Sequence, residues 1–243
     1  MPALLEVDSL GKSFGNVRAV DSVTLSVAPN TITALIGPNG SGKTTLFNLI
    51  TGYLRPDSGR VNFDGRDITG SDAGTLYRRG LSRTFQQARI FPQLTVRENL
   101  TVAAGYSWRQ LFGRRFSRAD RDRVEALLDE FRMGHVADLF ASELSYGQRK
   151  LLEFAAVLMS APTLVMLDEP TAGVNPVMIQ TMEQHIAERH RAGVTFLIVE
   201  HDMSFVMRLC NPVVVLDQGR EIFTGAPHEV QSNPLVIDAY LGS

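Results

Sequence analysis

The stretch Gly37-Pro38-Asn39-Gly40-Ser41-Gly42-Lys43-Thr44, continued by Thr45, has the spacing G-x-x-x-x-G-K-[ST] of a backbone cradle for phosphate. Glycines at 37, 40 and 42 let the main chain curl until successive N–H groups face inward, and a helix start adds partial positive charge. Lys43 would reach the β and γ phosphates of a nucleoside triphosphate, and the Thr44 hydroxyl would hold Mg²⁺. The bland alternative is a tight glycine turn with an incidental lysine.

Thr163-Leu-Val-Met-Leu-Asp-Glu-Pro170 supplies two carboxylates at the end of an apolar run. In a parallel sheet, ligands gather at the carboxyl ends of strands, where Asp168 would emerge. A carboxylate there can bind Mg²⁺ through its water shell, and Glu169 could orient or deprotonate an attacking water. Asp-Glu-Pro could otherwise be only a turn. His201 follows a similar run, Val194 to Glu200, and could bond a γ phosphate or hold the water, although an isolated histidine is more often structural. Spacing alone says nothing of Gln86.

A third stretch, Leu144-Ser-Tyr-Gly-Gln-Arg-Lys150, starts another helix. Ser145 and Gln148 stand at capping-box spacing. The same start, with the Ser145 hydroxyl and the Gly147 N–H at a positively polarised end, could serve a γ phosphate held by another chain.

These residues need a particular scaffold. Thr31 to Ile36 is an apolar, β-rich run before Gly37, and a helical pattern runs from Lys43 to Leu54, giving strand, loop and helix. Thr163 to Leu167 and Val194 to Val199 read as short buried strands, with a helix over Val177 to Ala192 between them. The N-terminal third reads as an antiparallel element with strands at Leu4 to Val7 and Val23 to Val27 and turns around Gly11, Gly15 and Asp21. Arg60 to Ile68 reads as a strand with an Asp64-Gly65 turn, and Val213 to Phe223 as a hairpin around Asp217-Gln-Gly219. From Leu94 to Phe140 the pattern turns helical. The expected fold is α/β: a mostly parallel sheet with an N-terminal antiparallel β subdomain and an inserted helical subdomain. Residues 1–93 and 161–243 form the core and 94–160 the insertion, in one domain.

Length and composition agree. With 243 residues and 44% hydrophobic content, the chain can bury a sizeable core. One cysteine, Cys210, excludes an internal disulfide and favours a reducing compartment. The start MPALLEVDSL reads as no signal peptide, and no apolar run approaches the roughly 18–20 residues of a membrane span. A net charge of −2 gives no basic field for nucleic acid. The arginines between Arg109 and Arg123 are interleaved with Asp120 and Asp122; a solvated helix and loop is the bland reading, and a contact surface for an acidic partner the alternative.

With these pieces in this order, the chain resembles the nucleotide-binding subunit of an ABC transporter over essentially its whole length. The resemblance makes LSYGQ the family's signature sequence, with Tyr146 where glycine is usual, and makes the phosphate loop an ATP site. Phe14 falls at the position that stacks on adenine, and Gln86 at the glutamine that senses Mg²⁺ and the membrane partner. Asp168, Glu169 and His201 match the metal-binding aspartate, the catalytic glutamate and the switch histidine. Thr171 to Asn175 occupies the D-loop, with Asn175 where aspartate is common.

More narrowly, LSYGQRKLLEFA, SRTFQQARIFPQLTVRENL and NPLVIDAYLG are similar to an ATP-binding subunit of branched-chain amino acid importers. Urea or amide uptake and lipopolysaccharide export are related alternatives. The resemblance implies a head-to-tail dimer with a second ATP-binding subunit, integral membrane permease subunits, an extracytoplasmic binding protein acting indirectly, and a peripheral place on the cytoplasmic face of the membrane. A soluble ABC-type ATPase acting on DNA would carry long heptad coiled coil between the loop and the signature, and none stands here. A P-loop kinase or GTPase would have no use for LSYGQ.

Overall fold

A computed structural model describes residues 2–84, 90–104 and 117–241. In chain order, the strands are β1 (Leu5–Phe14), β2 (Val17–Val27), β3 (Ile32–Ile36), β4 (Ser58–Phe63), β5 (Arg66–Asp67), β6 (Leu81–Arg83), β7 (Leu164–Asp168), β8 (Thr195–Val199), β9 (Val213–Asp217) and β10 (Arg220–Gly225). The helices are α1 (Lys43–Ile50), α2 (Ala73–Arg78), α3 (Val96–Ala103), α4 (Arg118–Glu130), α5 (Tyr146–Leu158), α6 (Pro176–Arg191), α7 (Met203–Leu209), α8 (Pro227–Ser232) and α9 (Pro234–Leu241).

Two sheets form. One is antiparallel, in the order β2-β1-β4-β5; the other runs β10-β9-β3-β8-β7-β6. In the second, β9, β3, β8, β7 and β6 are parallel neighbours and only β10 is antiparallel. β3, β7 and β8 are buried at every position, as expected of strands covered on both faces. Their two-residue period divides them between two cores. Leu35, Leu164, Met166, Leu197 and Val199 join the antiparallel sheet and Leu46, Phe47, Leu49 and Ile50 of α1. Ala34, Ile36, Val165, Leu167, Phe196 and Ile198 face the opposite layer, which includes Leu151, Leu152, Phe154 and Ala155 of α5 and Ile186 of α6. Each such fully buried leucine or phenylalanine contributes about 1.5–3 kcal/mol.

Three sequence-based boundaries shift. α1 stops at Ile50 rather than Leu54, because Gly52, at φ +74°, closes it in a Schellman arrangement. Gly52 N donates to Leu49 O at 3.4 Å and Tyr53 N to Asn48 O at 2.9 Å. Gly11 and Asp21 are not turns but lie within the long strands β1 and β2, whose register slips between Val7 and Leu10 and again between Leu10 and Lys12. These irregularities break the alternation that would have marked one continuous strand.

Among the described residues, no helix is long and apolar enough to cross a membrane.

Candidate functional site

The phosphate loop sits between the buried strand β3 and α1, and neighbouring backbone fixes its curl. Gly37 has φ +150°, and a Cβ there would lie 2.0 Å from Leu216 O; at Gly42, φ +101°, one would lie 2.3 Å from Ala19 O. No other residue fits at either position without moving main chain. The tip of the β9–β10 hairpin props the loop from beneath, with Gly219 N donating to Ser41 O at 3.0 Å and Asp21 N to Gly219 O at 2.7 Å. Pro38 and Ser41 are buried, whereas Asn39, Gly40 and Thr44 are exposed and Thr45 is half-buried. The Lys43 ammonium folds back into the loop and donates to Gly37 O and Pro38 O, both at 2.8 Å. Burial pushes its pKa down, while the charges of Glu169 and Asp168 pull it back up, so these carboxylates lie within electrostatic reach of the loop.

The strand ends converge on the same place. β7 and β8 pair in parallel with Asp168 opposite Val199, so the residues after each strand leave the sheet side by side. Glu169 Oε1 and His201 Nε2 lie 2.8 Å apart, the histidine 39% exposed and the glutamate 17% at the side chain. Glu169 takes φ +47°, a left-handed conformation rare for a non-glycine residue. Asp168, at the strand end, is buried, and its Oδ2 accepts from Arg83 Nη2 at 2.7 Å. Arg83, on β6, also donates from Nη1 to Asn48 Oδ1 at 2.7 Å and to Thr51 Oγ1 at 3.0 Å.

The signature stretch stands elsewhere. Ser145 caps α5 by accepting from Gln148 N at 3.3 Å, and Gln148 Oε1 accepts from Ser145 N at 2.9 Å. This reciprocal cap is the one expected from spacing. Among the described residues no hydrogen bond joins Ser145, Gly147 or Gln148 to the phosphate loop of the same chain. Tyr146 and Gly147 instead adjoin the loop after β7 and the start of α6. A Cβ on Gly147 would lie 3.1 Å from Met178 Cγ, and one on Gly173 would lie 3.3 Å from the Tyr146 ring. Tyr146 therefore covers Gly173, whose φ is +71°. Asn175 accepts from Met178 N at 2.9 Å and caps α6, work that an aspartate would do equally.

Phe14 ends β1, 49% exposed, with Lys12 Nζ 5.8 Å from its ring centre. Gln86 lies outside the described residues, as do Arg109, Arg114 and Arg115 of the basic run. Sequence reasoning passed over two residues that hold the site together, Arg83 and Glu200. For Glu200 the signal was a charged side chain adjoining an apolar β run, where burial demands partners.

The chain matches the family model described as "ABC transporter" over residues 20–172, and the one described as "Branched-chain amino acid ATP-binding cassette transporter" over residues 220–243. It is 39% identical to the high-affinity branched-chain amino acid transport ATP-binding protein BraF of Pseudomonas aeruginosa, with 98% of each chain covered. It is 38% identical to the corresponding LivG protein of Escherichia coli K12, again over 98% of each. Among solved structures, it superposes on a nucleotide-free ATP-binding cassette from an ABC transporter with a TM-score of 0.88 at 36% identity, over the whole of both chains. The ADP conformation of such a cassette gives 0.87 at 37%, also over the whole of both. On this shared length and identity, the chain belongs to the ABC transporter family as an ATP-binding, ATP-hydrolysing subunit.

Proposed function

We propose that this chain powers the uptake of branched-chain amino acids, acting with integral membrane permease subunits and a second ATP-binding subunit at the cytoplasmic face of the membrane. The full-length likeness to branched-chain amino acid transport ATP-binding proteins, reinforced by the C-terminal match, supports the cargo. The single observation that carries the hydrolytic role is the Glu169–His201 contact, within electrostatic reach of Lys43.

In this reading the N–H groups of Gly40, Ser41, Gly42 and Lys43 and the N-terminus of α1 receive the β and γ phosphates. The Lys43 ammonium exchanges its carbonyl partners for phosphate oxygens. Glu169 takes the proton of the attacking water, and His201 orients the Glu169 carboxylate. Thr44 and Asp168 are hard oxygen donors that fit Mg²⁺, with Gln86 as a third candidate ligand. The ion, when bound, neutralises charge on the β and γ phosphates. Phe14 offers an exposed ring for the adenine.

Gly147 faces Met178 at the start of α6 and Tyr146 covers Gly173 in the loop after β7. Among the described residues no hydrogen bond joins Ser145, Gly147 or Gln148 to their own phosphate loop, which supports a role toward the nucleotide of a partner subunit. Residues 94–160 then act as the subdomain that carries this helix start to the partner, against a core of 1–93 and 161–243. A binding protein outside the membrane acts only indirectly.

The test is recovery from native membranes. The tagged chain should copurify with integral membrane subunits, and ATP hydrolysis by the complex should rise with a binding protein loaded with leucine, isoleucine or valine. Copurification with nucleic acid and no membrane protein contradicts the proposal, and stimulation by a urea-loaded binding protein alone contradicts its cargo.

A further inference from the structure

Glu200 is 2% exposed, yet carries a carboxylate. It sits between the end of β8 and the loop that follows β7. Its Oε1 accepts from Thr171 N at 2.8 Å and from Thr171 Oγ1 at 2.7 Å. Its Oε2 accepts from His201 N at 2.8 Å and from Asp202 N at 3.2 Å. All four donors are neutral, and none of the ion pairs among the described residues includes Glu200. A desolvated carboxylate without a cation needs these bonds, and in turn it holds the segments that supply them.

Those segments bear the two residues of the hydrolytic site. Thr171 lies two residues beyond Glu169, and His201 gives its own N–H. The left-handed backbone of Glu169 is strained for a non-glycine residue and persists only where its surroundings over-determine it. Three restraints do so: Glu169 N donates to Val199 O at 2.9 Å, Ala172 N to Glu169 O at 3.2 Å, and Glu200 clamps Thr171.

We propose that Glu200 is a positioning residue for hydrolysis, a buried clamp whose four hydrogen bonds hold the Glu169 carboxylate and the His201 imidazole in register. This rests on Glu169 being the base. Glu200 touches no reacting atom; it acts by fixing the loop after β7 against the backbone of His201.

Glu200→Gln keeps the shape but turns an NH₂ group toward N–H donors. A misplacement on the scale of 1 Å costs on the order of 100-fold in rate. The variant should therefore lose roughly 10- to 100-fold in kcat while Kd for ATP, set by the untouched phosphate loop, stays within about threefold. Thr171→Val removes only the hydroxyl donor and should lower kcat by several-fold, and Thr171→Ser should restore it. The double variant Glu200→Gln/Thr171→Val should lose little beyond Glu200→Gln alone, since both break one clamp. A folded Glu200→Gln with native kcat overturns the proposal, as does a loss of kcat matched by an equal loss of ATP affinity. If Glu200→Gln does not fold, Thr171→Val decides, and a native kcat there overturns it. Glu169→Gln assayed alongside separates the two ideas. An inactive Glu169→Gln with a fully active Glu200→Gln removes only the clamp, whereas an active Glu169→Gln removes the base on which it rests.

Discussion

His201 Nε2 lies 2.8 Å from Glu169 Oε1, although the two residues are 32 positions apart in the chain. The register of β7 on β8 makes this contact, since Asp168 stands opposite Val199 and the strands run the same way. In the proposed mechanism, this contact keeps the carboxylate of the base aimed at one place.

His201→Ala should lower kcat by roughly 100-fold or more, with ATP affinity within about threefold of native. Single-turnover hydrolysis with an equilibrium binding measurement separates the two quantities. Loss of binding in step with turnover would make the histidine a nucleotide ligand and not an orienting group.

Arg83→Met should destabilise the fold by about 3–5 kcal/mol, because it strands Asp168 as an uncompensated buried charge. The two side chains are 5% and 3% exposed. Arg83→Lys should recover only part of this, since an ammonium cannot span Asp168, Asn48 and Thr51 as the planar fork does. Urea midpoints of the three proteins give the comparison, and a native midpoint for Arg83→Met would refute it.

Much of this arrangement is legible in the sequence, and the exceptions have physical causes. The phosphate loop could be read because its strand, glycines and helix are contiguous, and the Ser145–Gln148 cap because it is local. Arg83 and Glu200 could not be placed, since their partners lie 85 and 29 residues away and no periodicity encodes a side-chain bond between strands. Tyr146 has no local rationale for the same reason: its contact, Gly173, belongs to another loop. Gly52 was a local signal that outweighed the apolar pattern running through it.

The Cys210 thiol, 3% exposed, should resist alkylation in the native protein and react normally in urea. Burial pushes its pKa up to about 12, with Glu200 and Glu183 adding to the shift. The unfolded thiol ionises near 9.0, so between these values the folded chain binds the proton more tightly. The resulting stability is complete below the unfolded pKa and is lost as pH rises toward the folded one. The urea midpoint should therefore fall more steeply above pH 9 in the native protein than in Cys210→Ala. Equal slopes, or rapid labelling of the folded chain at pH 8, would contradict the burial assigned to this residue.

The most direct measurement of the central claim is steady-state ATP hydrolysis by Glu169→Gln at saturating Mg-ATP, with nucleotide binding and sedimentation recorded on the same sample. Turnover should fall by roughly 10²- to 10⁴-fold, ATP should bind as in the native protein, and an ATP-dependent dimer should accumulate. Hydrolysis near the native rate would show that Glu169 is not the base and would overturn the mechanism built on its contact with His201.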